Sequence, residues 1–401
     1  MSTQSGAPRQ PAAALRVCMV VPYDLSEPGG VKRHAFHLAE RMRRAGDTVT
    51  VVGPLSRGGP EPHVQGFGGV VNIPANGSAN YMALLTPPWS VARYFRQQRF
   101  DVVHVHEPIV PMLAWYATWF SRTAARVATF HMYAETEGIT ARAARGCVTG
   151  ALFPAFDAGI AVSRPAAEFA ARFWRGPLPI IPNGVPTAIF HPGSGDAPAA
   201  RDAPLRLLFV GNWRDRRKGL AVLLAAYREL RAAGAAVTLD VIGDGTPDPD
   251  QAGLPGLTFH GPIGSESLLA DHYRRCDLFV APATGQESFG IVLLEAMSCG
   301  RALVCSDIRG YREVVDPEGA ARVPAGDAGA LARAIAALLG APDRLRAMGA
   351  RNRQRAETFD WDRISDQVRE VYVEALAALA PAQRLGGGRG GRTPGVERIT
   401  V

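Results

Sequence analysis

The chain has 401 residues, a length that suggests two domains of ordinary size, each able to bury its own core. Hydrophobic residues make up 47% and charged residues 20% of the sequence, which excludes disorder for most of the chain. The net charge of +7 suits phosphorylated ligands, anionic lipid or nucleic acid, and charge alone does not choose among them.

The start of the chain and its cysteines bear on localisation. The first 14 residues are rich in Pro and Ala and lack a basic start followed by an apolar core, so we expect residues 1–14 to be disordered and not a signal peptide. No run approaches the roughly 18 apolar residues needed to cross a bilayer. The five cysteines show no C-x-x-C spacing, which is typical of reduced thiols. We predict a cytoplasmic protein, either free or peripheral on the inner face of the plasma membrane.

Short apolar runs alternate with longer amphipathic segments, and this pattern restarts near the middle of the chain. The alternation predicts parallel strands with crossover helices, and hence an α/β fold with two doubly wound sheets. We place the first domain at residues 15–190 and the second at 191–360, with a Pro- and Gly-rich linker at 183–204. An amphipathic helix is predicted over 361–383, and the Gly-rich residues 384–401 are expected to be disordered.

Polar side chains follow two predicted strands of the first domain. His131 ends one strand, and His104, His106 and Glu107 lie at the carboxyl end of another. Ligands of open α/β sheets bind outside the carboxyl ends of strands, so these side chains could line one cleft. A lone His in such a place is more often a capped core side chain. The residues do not form an H-E-x-x-H motif, so we expect no metal site.

Two segments have features of a phosphate site. Gly29 and Gly30 lie at the turn between the first strand and the first helix, where glycine lets a ligand approach the backbone. Helix starts also use glycine for steric reasons alone. In the second domain, four cations lie within five positions that end at Lys218, a run that is equally typical of a solvated surface. Glu266 begins a later helix, where its carboxylate could accept hydrogen bonds from guanine or simply be favoured by the helix dipole.

The segment from Glu287 to Met297 contains two glutamates eight positions apart. On one continuous helix their side chains would point roughly 80° from each other, so we predict a loop through Gly290 and a helix that begins near Ile291. The start of a helix stabilises an anion through unpaired N–H groups, and a phosphate is the expected ligand. Glu287 would then bind a sugar and Glu295 a ribose. The alternative is a half-buried helix with a solvated Glu295.

This segment resembles the E-x7-E signature of the retaining glycosyltransferases of family 4, and the resemblance covers most of residues 15–380. Within the family, the chain resembles the phosphatidyl-myo-inositol mannosyltransferases. The resemblance implies the GT-B fold, in which two Rossmann-like domains face each other across a cleft and a C-terminal helix crosses back to the first domain. It also implies a nucleotide-sugar donor, with no metal and no tightly bound cofactor.

The resemblance also assigns roles to residues of this chain. Lys218 would neutralise the diphosphate, and Asn212 stands where the family has an Arg, so that Arg214, Arg216 or Arg217 would have to replace that charge. The resemblance implies that His131 and Glu287 are catalytic, that the donor is bound by Gly30, Arg217, Lys218, Glu266, Ser288, Phe289, Gly290 and Glu295, and that the acceptor is bound by Tyr23, Asn76 and Ser78.

We therefore predict a retaining hexosyltransferase that moves mannose from GDP-mannose to a lipid-linked or phosphorylated polyol, with a phosphatidylinositol-type acceptor favoured by the resemblance. Two departures remove positive charge from the expected acceptor site. Tyr81 stands where the relatives have an Arg, and Glu135 and Glu137 follow His131 where they have a basic residue. UDP-glucose or another nucleotide sugar, and a different lipid or a neutral sugar acceptor, are alternatives. A catalytically silent relative that binds a nucleotide sugar is a further alternative. A two-lobed solute-binding protein is a poorer one, because it would have to be exported and we predict no signal peptide.

A segment near residue 90 suggests transient contact with an anionic membrane. Basic residues at a spacing of three would share one stripe of a helix, and three of them contribute about 3 kcal/mol on anionic lipid. An ordinary surface helix is an equally good interpretation, and we expect no nucleic-acid partner. The residues of this segment are Trp89, Arg93, Tyr94, Phe95, Arg96, Arg99 and Phe100.

Overall fold

The first domain contains a doubly wound parallel sheet and a separate hairpin. The computed structural model describes residues 13–27, 29–57, 61–75, 78–134, 148–193 and 203–384. Of the sequence predictions, those for residues 1–12 and 385–401 and for Asn76, Glu135, Glu137 and Cys147 lie outside these ranges. The strands of the first domain are β1 (Arg16–Val20), β2 (Thr48–Gly53), β3 (Val64–Gly66), β4 (Gly69–Ala75), β5 (Ser78–Leu85), β6 (Val102–His106), β7 (Ala125–Phe130) and β8 (Ala158–Ala161).

Six of these strands form a parallel sheet in the order β3-β2-β1-β6-β7-β8, whereas β4 and β5 pair with each other in antiparallel fashion. The order reverses between β1 and β6, and a crevice at such a switch point is where doubly wound sheets bind ligands. Strands β6 and β7 are buried along their whole length because helices cover both faces of the sheet.

The second domain repeats this plan. Its strands are β9 (Leu205–Val210), β10 (Val237–Ile242), β11 (Leu257–Gly261), β12 (Leu278–Ala281), β13 (Ala302–Ser306) and β14 (Ala320–Val323). All are parallel, in the order β11-β10-β9-β12-β13-β14. The switch point therefore lies between β9 and β12, which corresponds to β1 and β6 of the first domain.

Helices join the strands in both domains. They are α1 (Gly30–Arg44), α2 (Pro88–Gln97), α3 (Leu113–Phe120), α4 (Arg164–Ala170), α5 (Leu220–Ala232), α6 (Pro249–Ala252), α7 (Glu266–Arg275), α8 (Ile291–Ser298), α9 (Arg309–Arg312), α10 (Ala328–Ala336), α11 (Pro342–Glu357) and α12 (Trp361–Arg384). Short 3₁₀ helices at Phe153–Ala155 and Arg216–Lys218 and a π-helix at Val148–Leu152 complete the described elements. None of the described helices has both the length and the apolar character required to span a membrane.

Helix α12 follows the second domain in sequence but packs on the first. Its apolar side chains, among them Trp361, Ile364 and Tyr372, belong to the same core cluster as the strand residues Val17 and Met19. An ion pair between Arg369 of α12 and the buried Asp47 adds a charged contact to this packing. The prediction of an α/β fold with two doubly wound sheets and a C-terminal helix that returns to the first domain is therefore confirmed.

The chain crosses from the first domain to the second near Val185 and returns near Asp360, and these two crossings lie side by side. Val185 forms a bridge with Asp360, and its N–H donates to the carbonyl of Phe359. Gly184 lies under the Trp361 ring, where a Cβ atom would come within 2.5 Å of a ring carbon, so a side chain cannot be accommodated. The two crossings thus form a joint beside the start of α12.

The proposed membrane segment differs in part from the sequence expectation. Trp89 of α2 is 73% exposed, and Arg93 and Arg96 are exposed as well. In contrast, Phe95 is buried in a core cluster of the first domain that does not include α12, and Tyr94 packs against that cluster. The helix ends at Gln97, so Arg99 and Phe100 do not extend the stripe. The aromatic residues divide in this way because one face of α2 has to cover the sheet.

A buried hydrogen bond ties α12 to the sheet and allows a test of the packing. His104 of β6 is fully buried, with Nδ1 2.6 Å from the hydroxyl of Tyr372 and Nε2 2.6 Å from the hydroxyl of Thr129. Tyr372→Phe leaves that imidazole nitrogen without its partner, which should cost about 1–3 kcal/mol of the free energy of unfolding. Denaturant unfolding of the two proteins measures the loss.

Tyr81→Phe is the matched control, since Tyr81 is 40% exposed on β5. It should change the unfolding free energy by less than about 0.5 kcal/mol. Equal stabilities of Tyr372→Phe and the control would contradict this account of how α12 is attached.

Candidate active site

The carboxyl ends of the two sheets face each other across a cleft. On the first domain, Gly30 begins α1 directly after the β1 turn, and on the second, Ile291 begins α8. A Cβ atom on Gly30 would lie 3.5 Å from the Ile291 side chain, so these two helix starts lie close to each other. The switch points of both sheets therefore border one site.

The start of α8 has the geometry that the sequence predicts, with the helix beginning at Ile291. Gly290 precedes it with φ 96°, and a Cβ there would lie 2.7 Å from the ring of Tyr311, so glycine is required for both reasons. Glu287 lies on the loop before the helix, and Glu295 lies within it, fully buried. The unpaired N–H groups of the first turn of α8 thus lie between the carboxylates of Glu287 and Glu295.

Lys218 and Glu287 form an ion pair, with 2.5 Å between Nζ and Oε1. Gly219 follows Lys218 with φ 77°, and a Cβ on it would overlap the carbonyl of Pro282. This close approach places the loop after β9 against the loop after β12, where the Thr284 N–H donates to the Arg217 carbonyl over 2.8 Å. The backbone packing therefore sets the position of Lys218.

The neighbouring arginines have other partners. Arg217 is held by the buried Asp215, with 2.6 Å between Nη2 and Oδ2, and lies near the carbonyl of Gln286. Arg214 lies 3.4 Å from Asp244, and both side chains are exposed. Arg216 is exposed. Lys218 thus forms an ion pair with Glu287 of the E-x7-E segment.

A group of histidines lies under the cleft in the first domain. Nδ1 of His106 is 3.1 Å from Nε2 of His131, and the rings of His131 and His34 have their centroids 4.7 Å apart. Burial lowers the pKa of His131 well below its usual value, and the nearby His34 and His104 add to that effect. Burial likewise lowers the pKa of His34 to about 4. These rings are therefore neutral at pH 7.

The same rings are close enough to be considered as metal ligands. One nitrogen from each of His34, His106 and His131 lies within 4.8 Å of the other two. The sequence analysis placed His106 and His131 at one cleft, but it did not predict a metal-ligand set, because the three rings come from α1, β6 and the residue after β7 and not from one short motif. His34 was missed altogether. Its Nδ1 lies 2.8 Å from the amide oxygen of Asn183, which fixes the ring.

Glu107 positions the main chain of His131. Its Oε1 accepts hydrogen bonds from the N–H groups of His131 and Met132, and its backbone has φ 49°, which is uncommon for a residue with a side chain. Burial raises the pKa of Glu107 to about 7, against the effect of the two backbone hydrogen bonds. Burial raises the pKa of Tyr23 well above its usual value, and the charge of the nearby Glu107 adds to that effect.

The carboxylates expected to bind the nucleoside have partners from the first domain. Glu295 accepts a hydrogen bond from Arg33 and another, of 2.8 Å, from the hydroxyl of Tyr273. Glu266 lies 2.8 Å from Nε2 of His37 and 3.6 Å from Nε of Arg33. Arg33 and His37 both lie on α1. Sequence reasoning missed these pairs because their members are more than 200 positions apart.

The remaining predicted residues occupy different environments. The side chain of Phe289 is buried in the core of the second domain, 6.1 Å from the ring of Phe359, so only its backbone can face a ligand. Ser288 is partly exposed beside Glu287. On the acceptor side, Tyr23 forms a bridge with Met82 of β5, whose first residue is Ser78.

Comparison with known proteins supports these observations. A family model described as Glycosyltransferase Family 4 matches residues 28–189, and one described as Glycosyl transferases group 1 matches residues 204–341. A phosphatidyl-myo-inositol mannosyltransferase of Mycolicibacterium smegmatis is 36% identical over 397 residues, which cover 95% of this chain and 99% of that protein. One from Propionibacterium freudenreichii is 33% identical over 90% of this chain and 95% of its own length.

Solved structures share the fold at lower identity. A glycosyltransferase from Rickettsia africae has a TM-score of 0.72 at 17% identity and covers 91% of this chain and 99% of its own. The Anabaena protein HepE in complex with UDP-glucose has a TM-score of 0.69 at 18% identity and covers 90% of this chain and 100% of its own.

The resemblance seen in the sequence is therefore confirmed. Both domains match glycosyltransferase family models, and full-length relatives exceed 30% identity. The chain belongs to glycosyltransferase family 4, and it is a glycosyltransferase related to the phosphatidyl-myo-inositol mannosyltransferases.

Proposed function

We propose that the protein transfers mannose from GDP-mannose to a phosphatidyl-myo-inositol acceptor with retention of configuration. The relative that is 36% identical over 99% of its own length carries this proposal, because its name states that acceptor and that sugar. The paired Lys218 and Glu287 at the mouth of α8 supply a matching site. The HepE structure contains UDP-glucose, which supports a nucleotide sugar as the class of donor.

In the proposed donor complex, the diphosphate lies between the Gly30 turn and the first N–H groups of α8. Lys218 turns from Glu287 to the phosphate and stabilises the charge that develops as the diphosphate leaves. Glu287, released from its ion pair, accepts hydrogen bonds from the sugar hydroxyls. Before the donor binds, the ion pair thus holds the Lys218 ammonium and the Glu287 carboxylate at the site where the donor will need them. Catalysis in this scheme is mainly electrostatic, and no protein nucleophile is required.

His131 lies on the other wall of the cleft and is neutral at pH 7, because burial lowers its pKa. A neutral ring and the adjoining carbonyl can contact the sugar without repelling the positive charge that develops at its anomeric carbon. In the proposal the leaving phosphate takes the proton of the acceptor hydroxyl on the same face. Following the family resemblance, the proposed transfer uses no metal ion.

A lipid acceptor requires contact with a membrane surface. Helix α2 presents Trp89, Arg93 and Arg96, and the nearby Leu85 is 65% exposed. An exposed tryptophan beside basic residues suits the interface of an anionic bilayer. With two arginines on this face, electrostatic attraction contributes about 2 kcal/mol. We therefore propose transient attachment to the inner face of the plasma membrane.

The direct test is a transfer assay with GDP-mannose or UDP-glucose as donor and vesicles that contain phosphatidylinositol. The wild-type protein should transfer mannose to the lipid and use UDP-glucose poorly. Lys218→Ala should lower kcat about 100-fold or more, since it removes one preorganised donor from the leaving group. Arg228→Ala, at an exposed cation on α5, should retain the wild-type rate.

Three outcomes would each contradict a different part of the proposal. Full activity of Lys218→Ala would show that the assigned phosphate site is wrong. Transfer of glucose in place of mannose would contradict the proposed donor. Donor binding without turnover by the wild-type protein would identify a catalytically silent relative.

The pKa of Glu107 predicts a pH dependence of the reaction. Below its pKa of about 7 the carboxyl is neutral, and above it the carboxylate holds the backbone of His131 more strongly. We expect kcat/KM to rise as the pH increases through about 7, and we expect Glu107→Gln, which does not ionise, to remove this inflection.

Asp157→Asn provides the control. Burial also raises the pKa of Asp157 to about 7, but this residue lies directly before the amino end of β8, whereas the cleft lies at the carboxyl ends of the strands. The inflection should persist in Asp157→Asn. An unchanged pH profile of Glu107→Gln would rule out Glu107 as its source.

A further inference from the structure

Three histidine side chains of the first domain, here called the histidine cluster, converge beneath the cleft. His34 comes from α1, His106 ends β6, and His131 follows β7. Each offers one ring nitrogen that lies within 4.8 Å of a nitrogen of the other two. All three residues are buried, and His131 is the most exposed of them at 8%. The cluster is therefore built without residues of the second domain.

The protein does not satisfy all the ring nitrogens of the histidine cluster. Nδ1 of His34 donates to the amide oxygen of Asn183, which leaves Nε2 as the acceptor of a neutral ring. Within the described part of the chain, this buried Nε2 and the Nε2 of His106 have no hydrogen-bond partner. The neighbouring His104 differs, since both of its nitrogens are bonded. Buried polar atoms are rarely left unpaired, so the two nitrogens point to a ligand that the protein itself does not supply.

The spacing and the type of the nitrogens suit a zinc ion. Zinc binds imidazole nitrogens at about 2.0–2.1 Å in a tetrahedral arrangement, which places two such nitrogens about 3.4 Å apart. Nδ1 of His106 and Nε2 of His131 are 3.1 Å apart. The hydrogen bond between His34 and Asn183 is the kind of contact that fixes the tautomer and orientation of a metal-bound imidazole. Mg²⁺, in contrast, prefers oxygen ligands.

We propose that His34, His106 and His131 bind one Zn²⁺ ion and that the bound ion inhibits sugar transfer. The ion takes a nitrogen lone pair of His131 and adds two positive charges next to the anomeric carbon, where positive charge develops during transfer. It therefore opposes the reaction and has no part in it. The inhibitory half of this inference rests on the proposed function, which places the sugar beside His131, whereas the binding half does not.

Calorimetry with Zn²⁺ alone, on protein purified without a polyhistidine tag, tests the binding. The wild-type protein should bind one ion per chain at the cluster and should not bind Mg²⁺ there. In His34→Asn the amide nitrogen takes the place of Nδ1 and can still donate to Asn183, but the Nε2 ligand is lost. Loss of a supporting partner alone costs about 10–100-fold in metal affinity, so this loss of a ligand should raise the Kd for Zn²⁺ at least about tenfold.

His260→Gln is the matched control. His260 is exposed on β11, with Nε2 2.7 Å from Asp240 and its ring 4.7 Å from the ring of His272, so this group is a competing place for zinc. Glutamine keeps a donor for Asp240, and the Kd of the histidine cluster should not change. The absence of saturable binding, or binding that is lost in His260→Gln and kept in His34→Asn, would overturn the proposal.

A measurement without any variant guards against misfolding of His34→Asn. X-ray absorption spectroscopy of the zinc-loaded wild-type protein should show three imidazole nitrogens at about 2.0–2.1 Å from the metal. A metal environment with fewer than three imidazoles would contradict the assigned ligand set.

The mannose transfer assay tests the inhibition. Zn²⁺ should stop transfer by the wild-type protein, with half-inhibition near its calorimetric Kd, and EDTA should restore the rate. His260→Gln should respond to zinc in the same way. Full transfer at zinc concentrations that saturate the cluster would contradict the inhibitory half. Failure of the proposed function looks different: zinc would bind as described, yet the metal-free protein would transfer no mannose.

Discussion

Acidic side chains in a narrow cleft need partners, and this requirement organises the site. Glu287 is paired with Lys218 of its own domain, whereas Glu295 and Glu266 are paired with Arg33 and His37 of the other. In each case the partner occupies a place where the proposed donor would offer phosphates, hydroxyls or base N–H groups. In the proposed function, donor binding would therefore exchange these partners for groups of the ligand.

The fold supplies the positions that make this exchange feasible. Each sheet reverses its strand order at one point, and the two reversals lie on either side of the cleft. Glycine is required at Gly219, where a Cβ would overlap the Pro282 carbonyl, whereas a Cβ on Gly30 would make an ordinary contact with Ile291. Helix α12 returns to the first domain and packs Trp361 against Gly184. The joint between the domains therefore lies beside the site.

The sequence predicted the features that depend on local chemistry. Alternating apolar runs indicated both sheets, and Gly290 followed by an apolar run indicated that α8 begins at Ile291. Contacts between distant segments were not predictable, since nothing in the pattern around Arg33 points to Glu295, 262 positions away. Charge runs were equally ambiguous, because the pairing of Arg217 with Asp215 becomes visible only once the loop has its shape.

The central claim is that the diphosphate of the donor replaces the ion pair between Lys218 and Glu287. A crystal structure of the enzyme with GDP-mannose tests it most directly. The account predicts phosphate oxygens within hydrogen-bond distance of Lys218 and of the first N–H groups of α8, a sugar hydroxyl on Glu287, and the ribose on Glu295. A complex in which the nucleotide is bound while Lys218 still contacts Glu287 and no phosphate oxygen would contradict it.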